Sequence, residues 1–265
     1  MSKKFVDVEA LNFRSAPVVA PANRIGILHL GQPVEELGPD AKDGWVKIKA
    51  EVGGAMVEGV VKEEIDDRPS LREPVSAARE ALVAEAIKEW LRFEKGQGEE
   101  FEDPFFKFVG EMWESIHLHL TGKDRGVPWS AAAISFMVRH AGATFPKYNN
   151  FKFAPAHSIY FHDSIVKQQS SDAAAPFWGF RRFEKSPQIG DIVGVWRETE
   201  STFEDAKRGD SFPSHSDIIV SVGPDFVLAI GGNVRQSVNI TRYVKTQSGF
   251  LTKEDRVIIL MVNQA

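Results

Sequence analysis

The spacing of apolar residues changes near Val75, and this change constrains the fold more than any other feature of the sequence. Before it, short apolar runs are separated by turn signals such as Gly31-Gln32-Pro33 and Gly53-Gly54, which is typical of short strands. After it, apolar residues recur every three and four positions, as on one face of a helix. The first such face consists of Val75, Ala78, Leu82, Val83, Ala86, Ile87, Trp90 and Leu91.

This change of period predicts two domains. Residues 5–66 read as several short strands, and we expect a small β-barrel because closure removes exposed strand edges. Residues 67–74 are polar and hold two prolines, so we predict a linker there. Residues 75–265 then form the second, larger domain.

The second domain is predicted to be of the α+β class. Two more helical segments follow the first, one from about residue 105 to Leu120 and one from Ser130 to Gly142. The chain then lacks a clear pattern up to about residue 188, where we expect loops. Five strand-like segments follow, and helices succeeded by strands favour helices packed on an antiparallel sheet.

Composition excludes several kinds of site. The net charge of −5 gives no indication of nucleic-acid binding, and no apolar run is long enough to span a bilayer. Cysteine is absent, which removes disulfides, thiolate metal sites and cysteine nucleophiles. No metal-ligand spacing occurs, so we expect neither a metal nor another cofactor. The N-terminus lacks the apolar block of a secretory signal, so we expect a cytoplasmic protein, or one exported by a signal-independent route.

The segment PWSAAAISFMVRHAG, residues 128–142, contains the candidate nucleophile Ser130. A helix N-terminus carries unpaired N–H groups and a partial positive charge, which stabilise a developing oxyanion. A serine hydroxyl also needs an adjacent general base. Serine is equally a favoured helix N-cap, so this segment alone leaves both interpretations open.

The first domain resembles the bacterial SH3-like family. The resemblance lies in ALNFRSAP, in the IGIL and LGQPV pieces, and in GWVKIK, whereas EGVV replaces the usual Gly-Trp-Val ending. It implies binding of a wall peptide or of a protein partner. A barrel that only stabilises the chain is the alternative.

The second domain resembles the bacterial family called domain of unknown function 2272, and the NlpC and CHAP amidases and endopeptidases of papain-like fold. Four pieces carry the resemblance: PWSAAAISFMVRHAG, PAHSIYF, QIGDIV, and SHSDIIV with AIGGNV. It implies a nucleophile at Ser130, a histidine on a later strand at His215, and an orienting polar residue at Asn233. The superfamily usually has cysteine at the first of these positions.

The residues themselves are compatible with these roles. Strand alternation places His215 and Asp217 on one face, so Asp217 is a second candidate for orienting the imidazole. An imidazole between a hydroxyl and an oxygen acceptor is the arrangement of a catalytic triad. Asn233 follows two glycines, which equally suits an ordinary bend between strands.

Three further residues are candidates for substrate binding. His157 and Tyr160, in PAHSIYFHD, are predicted to face the cleft from a loop or short helix. Trp129 is either a wall of the cleft or a core residue.

Two functions follow from these residues. The first is an amide-bond hydrolase acting on peptidoglycan stem peptides or another small amide, with Ser130 as nucleophile and His215 as base. The second is a papain-like binding module that has lost its nucleophile and recognises a wall peptide or a protein partner.

Overall fold

The computed structural model describes all 265 residues, which form two units, Met1–Ser76 and Ala77–Ala265. None of the helices has the length and apolar character needed to cross a lipid bilayer.

The first unit is a seven-stranded antiparallel sheet in the order β3-β2-β6-β5-β4-β1-β9, with a separate two-stranded ribbon of β7 and β8. The strands are β1 (Ser2–Val6), β2 (Ala10–Arg14), β3 (Arg24–His29), β4 (Pro33–Pro39), β5 (Trp45–Val52), β6 (Ala55–Lys62), β7 (Glu64–Ile65), β8 (Arg68–Pro69) and β9 (Leu71–Arg72).

Two predictions for this region need correction. The expected barrel does not close, because the hydrogen-bonded order ends at β3 on one side and at the two-residue strand β9 on the other. Part of the predicted linker is strand, since Val6 of β1 pairs with Leu71 of β9. Leu71 also packs against the apolar core of the sheet, so the two prolines do not release this segment from the unit.

The second unit combines five α-helices with a six-stranded antiparallel sheet in the order β10-β15-β11-β12-β13-β14. The helices are α1 (Ala77–Arg92), α2 (Phe105–Glu114), α3 (Ser130–Gly142), α4 (His157–Gln169) and α5 (Phe203–Arg208). The strands are β10 (Phe177–Phe180), β11 (Ile192–Trp196), β12 (Ser214–Val222), β13 (Phe226–Val234), β14 (Ser237–Val244) and β15 (Val257–Asn263). The predicted mixture of helices and antiparallel strands is confirmed.

Helix α4 lies where loops were expected. Its buried face consists of His157, Ser158, Tyr160, Phe161, Ser164 and Ile165, so histidine and serine occupy positions where apolar residues usually mark a helix. Ile159 and Val166 are instead more than 40% exposed, which blurs the pattern further. The second predicted helix is also shorter than expected, because the chain leaves the helix after Glu114 and His117 has a φ of +63°.

A buried polar network ties α1 to the sheet. The guanidinium of Arg79 donates to Oδ1 of Asp191 at 2.9 Å and to the carbonyl of Asn263 at 2.6 Å. Burial raises the pKa of Asp191 to about 6, against which the charge of Arg79 acts in the opposite direction. Arg79 and Asp191 are therefore paired in a buried environment. Because Arg79 also donates to Asn263, this network fixes the position of α1 on β15.

Helix α4 packs on the sheet through glycines. A Cβ on Gly194 of β11 would lie 2.4 Å from Cγ2 of Ile259 and 2.5 Å from Cζ of Phe161. The absence of a side chain at Gly194 is thus what lets Phe161 of α4 approach the strand.

We predict that Gly194→Ala destabilises the protein by about 1–3 kcal/mol, because the added methyl group overpacks a core without free space. The measurement is thermal or urea unfolding of the full chain. Gly110→Ala in α2 is the matched control: its Cβ would lie 3.5 Å from the nearest side-chain atom, and alanine favours a helix over glycine. Equal stability of the two variants would contradict the packing argument.

Glu89 of α1 is a buried carboxyl with few partners. Its side chain is 1% exposed, one oxygen lies 3.5 Å from Nη1 of Arg92, and the other has no hydrogen-bond partner. Burial raises the pKa of Glu89 to about 7. Because the folded-state pKa exceeds the unfolded value of 4.5, the folded state becomes less stable as pH rises from about 4.5 to 7.

We therefore expect Glu89→Gln to be more stable than the parent at pH 8, by about 1–3 kcal/mol, since the amide carries no charge to desolvate. The difference should shrink as pH falls to 5, where the folded parent is already protonated. Urea unfolding at the two pH values measures this, and a difference independent of pH would contradict it.

Candidate active site

Trp129 and Ser130 stand at the N-terminus of α3, where the helix meets β13. The indole of Trp129 is 1% exposed, stacks on Phe93 with ring centroids 5.8 Å apart, and donates through Nε1 to the carboxylate of Glu100. Of the two interpretations of Trp129, the structure therefore favours the core residue.

The hydroxyl of Ser130 pairs with the imidazole of His157. Ser130 is the first residue of α3 and His157 is the first residue of α4, and the Oγ–Nε2 distance is 2.6 Å. The N-cap position of α3 is held by Trp129, whose side chain makes no capping hydrogen bond, so Ser130 is the first helical residue and not the cap. Both residues are about 95% buried, so the pair lies in a low-dielectric environment.

Two hydroxyls hold the other nitrogen of His157. Nδ1 lies 2.9 Å from Oγ of Ser216 and also contacts the hydroxyl of Tyr160, and these two oxygens are 2.8 Å apart. With the proton on Nδ1, the imidazole donates to this pair of oxygens and leaves Nε2 free to accept from Ser130. This tautomer is the one that a general base requires.

Burial keeps His157 neutral. Desolvation lowers the pKa of His157 well below 6.5, and the charges of His215 and Arg197 lower it further. None of its hydrogen-bond partners is a carboxylate, so no negative charge contacts the ring to oppose these effects. The imidazole is therefore unprotonated at neutral pH and able to accept a proton.

His215 belongs to a second buried network beside the first. Its Nε2 lies 2.7 Å from Oδ1 of Asp217, whose Oδ2 accepts from the hydroxyl of Tyr243. Burial acts to raise the pKa of Asp217, but the charge and hydrogen bond of His215, together with the hydroxyls of Tyr243 and Thr241, bring it below 3.8 overall. Asp217 is thus an ionised carboxylate that holds His215.

The two networks touch through their imidazoles. The rings of His157 and His215 have centroids 5.4 Å apart, and His157 is the one that is hydrogen-bonded to Ser130. The imidazole hydrogen-bonded to Ser130 is that of His157, whereas the sequence analysis gave the role of base to His215 and that of substrate binding to His157.

Asn233 lies at the bend between β13 and β14. Its φ of +55° is left-handed, and it lies next to Val234, which pairs with Ser237 where β13 turns into β14. The orienting partner of His215 is Asp217, the second of the two candidates, rather than Asn233.

Sequence reasoning missed Ser216 and Tyr243. Ser216 did carry a signal, because it is a polar residue on the strand face that also holds the buried Ile218 and Val220. A polar side chain in such a position needs a hydrogen-bond partner. Nothing in the sequence pointed to His157 as that partner.

The family of the chain is shown by a match over residues 108–261, more than half of its length. The matching family model is described as "Uncharacterized protein conserved in bacteria (DUF2272)". The chain belongs to this DUF2272 family. The match includes every residue of both hydrogen-bonded networks. No curated protein matches the DUF2272 chain.

Two solved structures from Trichomonas vaginalis show a slight similarity to this DUF2272 chain. NlpC2 is 12% identical with a TM-score of 0.30, over 98% of this chain and 73% of that one. NlpC1 is 10% identical with a TM-score of 0.26, over 94% of this chain and 67% of that one.

No group of three or more His, Asp or Glu side chains in this DUF2272 chain is arranged to hold a metal ion.

We predict that the ring of His157 protonates only below pH 6.5, because burial and the neighbouring charges disfavour its cationic form. The measurement is an NMR titration of the imidazole signals, with His157 assigned by the signal that His157→Gln removes. A midpoint above pH 6.5 would show that the ring is not desolvated as the structure has it.

Proposed function

We propose that this protein is an amide-bond hydrolase in which Ser130 is the nucleophile and His157 the general base. The contact of 2.6 Å between Oγ of Ser130 and Nε2 of His157, at the N-terminus of α3, carries the proposal. It combines a hydroxyl, a neutral base and a helix terminus, which are the three elements a serine nucleophile needs.

The reaction would run through an acyl-enzyme. His157 Nε2 takes the proton of Ser130 as Oγ attacks the carbonyl carbon, and the N–H groups at the start of α3 stabilise the oxyanion. The amine leaves with the proton from Nε2. Water then attacks the ester, again with His157 as base, and releases the acid and the free hydroxyl of Ser130.

The second network acts on this base rather than on the nucleophile. The charge of His215, which contacts Asp217, lowers the pKa of His157 and so favours return of the proton to the leaving amine. In this proposal His215 and Asp217 are positioning residues, and Tyr160 and Ser216 fix the tautomer.

The substrate class comes from the resemblance of PWSAAAISFMVRHAG, PAHSIYF and SHSDIIV to wall amidases. We accordingly propose a peptidoglycan stem peptide or a related small amide as substrate. The first unit would bind a wall peptide or a protein partner, as SH3-like domains do.

A binding module without catalysis is the second candidate. It is favoured by the burial of Ser130 and His157 and by the lack of a carboxylate on His157. A site of this kind could recognise the same peptide without cutting it.

We expect Ser130→Ala and His157→Gln each to lower kcat/KM by about 10³-fold or more, because each removes one member of the Ser130–His157 pair. The assay is hydrolysis of purified sacculi or of peptides released from them. Ser135→Ala is the matched control, since this serine is also buried in α3 but contacts Ala154 instead. Melting temperatures of all variants check folding.

The result for the parent chain separates the two candidates. Hydrolysis by the parent that Ser130→Ala retains would contradict the proposed mechanism. A parent that binds but never cleaves, together with cleavage gained by Ser130→Cys, would establish the binding module.

A further inference from the structure

A cavity of about 250 Å³ opens beside α5, outside the two hydrogen-bonded networks. Its walls come from the segment after β10, the ends of β11 and β15, and the start of α5. They include Arg182, Phe183, Trp196, Phe203, Val257 and Ile258. Ligand pockets for drug-sized molecules occupy roughly 300–1,000 Å³, so this cavity suits one amino-acid residue.

Aromatic rings line the cavity and are incompletely covered. Phe183 is 53% exposed, and Trp196 and Phe203 are half-buried. Buried Val257 and Ile258 complete the apolar part. Partly exposed aromatic rings around a concave surface suit an apolar side chain of a ligand.

The cations of the cavity differ in their pairing. Arg181 is paired with Glu184 and Glu204, and Lys253 is paired with Glu200 at 3.1 Å. Arg182 instead donates to the backbone carbonyl of Leu251 at 3.2 Å, and no carboxylate lies within ion-pair distance of it. The guanidinium of Arg182 has further N–H groups besides the one used in this bond. Their planar arrangement suits the two oxygens of a carboxylate.

The sheet register places Trp196 of this cavity near Ser216, which contacts the proposed base His157. Trp196 pairs with Ser214, so both side chains lie on the sheet face that also holds Ser216, the partner of His157. Two residues along a strand and one strand across correspond to roughly 8 Å between the Cα atoms of Trp196 and Ser216. An extended peptide covers that distance with two or three residues.

We infer that the cavity is a substrate subsite for a peptide residue that carries a free α-carboxylate, with its side chain on Trp196 and its carboxylate on Arg182. The carboxyl-terminal residue would lie two or three positions beyond the scissile amide. This placement rests on the proposed function, whereas the preference for the carboxylate rests on the cavity itself.

The test measures binding in the full-length Ser130→Ala chain, so that it does not depend on hydrolysis. The probes are acetyl-Ala-Ala-Phe as the free acid and as its carboxy-terminal amide, titrated by calorimetry. We expect the acid to bind about tenfold more tightly, a difference of about 1.4 kcal/mol in binding free energy, because the amide lacks the charge that the guanidinium would contact. Arg182→Gln should reduce the affinity for the acid to that for the amide, and Trp196→Leu should weaken both.

Arg125→Gln is the matched control: Arg182 lies over the ring of Phe183, and Arg125 lies likewise over the ring of Phe101 but outside the cavity. It should leave both affinities unchanged. Equal affinities of acid and amide, a preference that survives Arg182→Gln, or no binding of either probe at millimolar concentration would each overturn the subsite. Binding as expected with no hydrolysis by the parent would instead refute only the proposed function.

Discussion

The candidate site depends on how closely α3 approaches β13. A Cβ on Gly232 would lie 2.3 Å from Cβ of Ala133 and 2.6 Å from the ring of Trp129, so the helix can reach the strand only where no side chain intervenes. A Cβ on the preceding Gly231 would lie 1.7 Å from Oδ1 of Asp217. These two glycines thus make room for the start of α3 on one side of the strand and for the carboxylate that holds His215 on the other.

Burial and hydrogen-bond partners together then set the charge states of His157 and Asp217. Asp217 is the one carboxylate in contact with either imidazole, and it is hydrogen-bonded to His215 and not to His157. His215 therefore has a counter-charge and His157 has none, although both rings are about 97% buried. The separation gives two adjacent imidazoles different surroundings: His215 contacts a carboxylate, whereas His157 is held by hydroxyls and burial lowers its pKa.

Local patterns predicted the parts of the site but not their pairing. Helix α3 begins and ends at the predicted residues, because it is bounded by Pro128 and Gly142 and filled with small and apolar side chains. The strands carrying His215 and Asn233 were also found, since their apolar runs are uninterrupted. His157 was placed near the cleft, but its helix was not found, because its buried face is built from histidine, tyrosine and serine.

The choice of base could not be made from the sequence for a geometrical reason. His157 and His215 are 58 positions apart, and their rings are 5.4 Å apart in the fold. The order of site residues in the superfamily that the chain resembles favours His215, the histidine on the strand, as the base. Which histidine contacts Ser130 depends instead on the direction in which α4 crosses the sheet. That direction is set by the fit of α4 on Gly179 and Gly194, whose missing side chains give no signal of their own in a single sequence.

The environment of His157 also bears on the proposed role of Ser130 as nucleophile. A cysteine next to an imidazole works as a thiolate and imidazolium pair, which must be stable before substrate binds. At this position both ions would be desolvated, and the nearby charges of His215 and Arg197 further disfavour a cationic His157. A serine hydroxyl requires no such pair at rest, because its proton moves only as the new bond forms. A neutral, buried imidazole is therefore a poor partner for a thiol and an adequate one for Ser130.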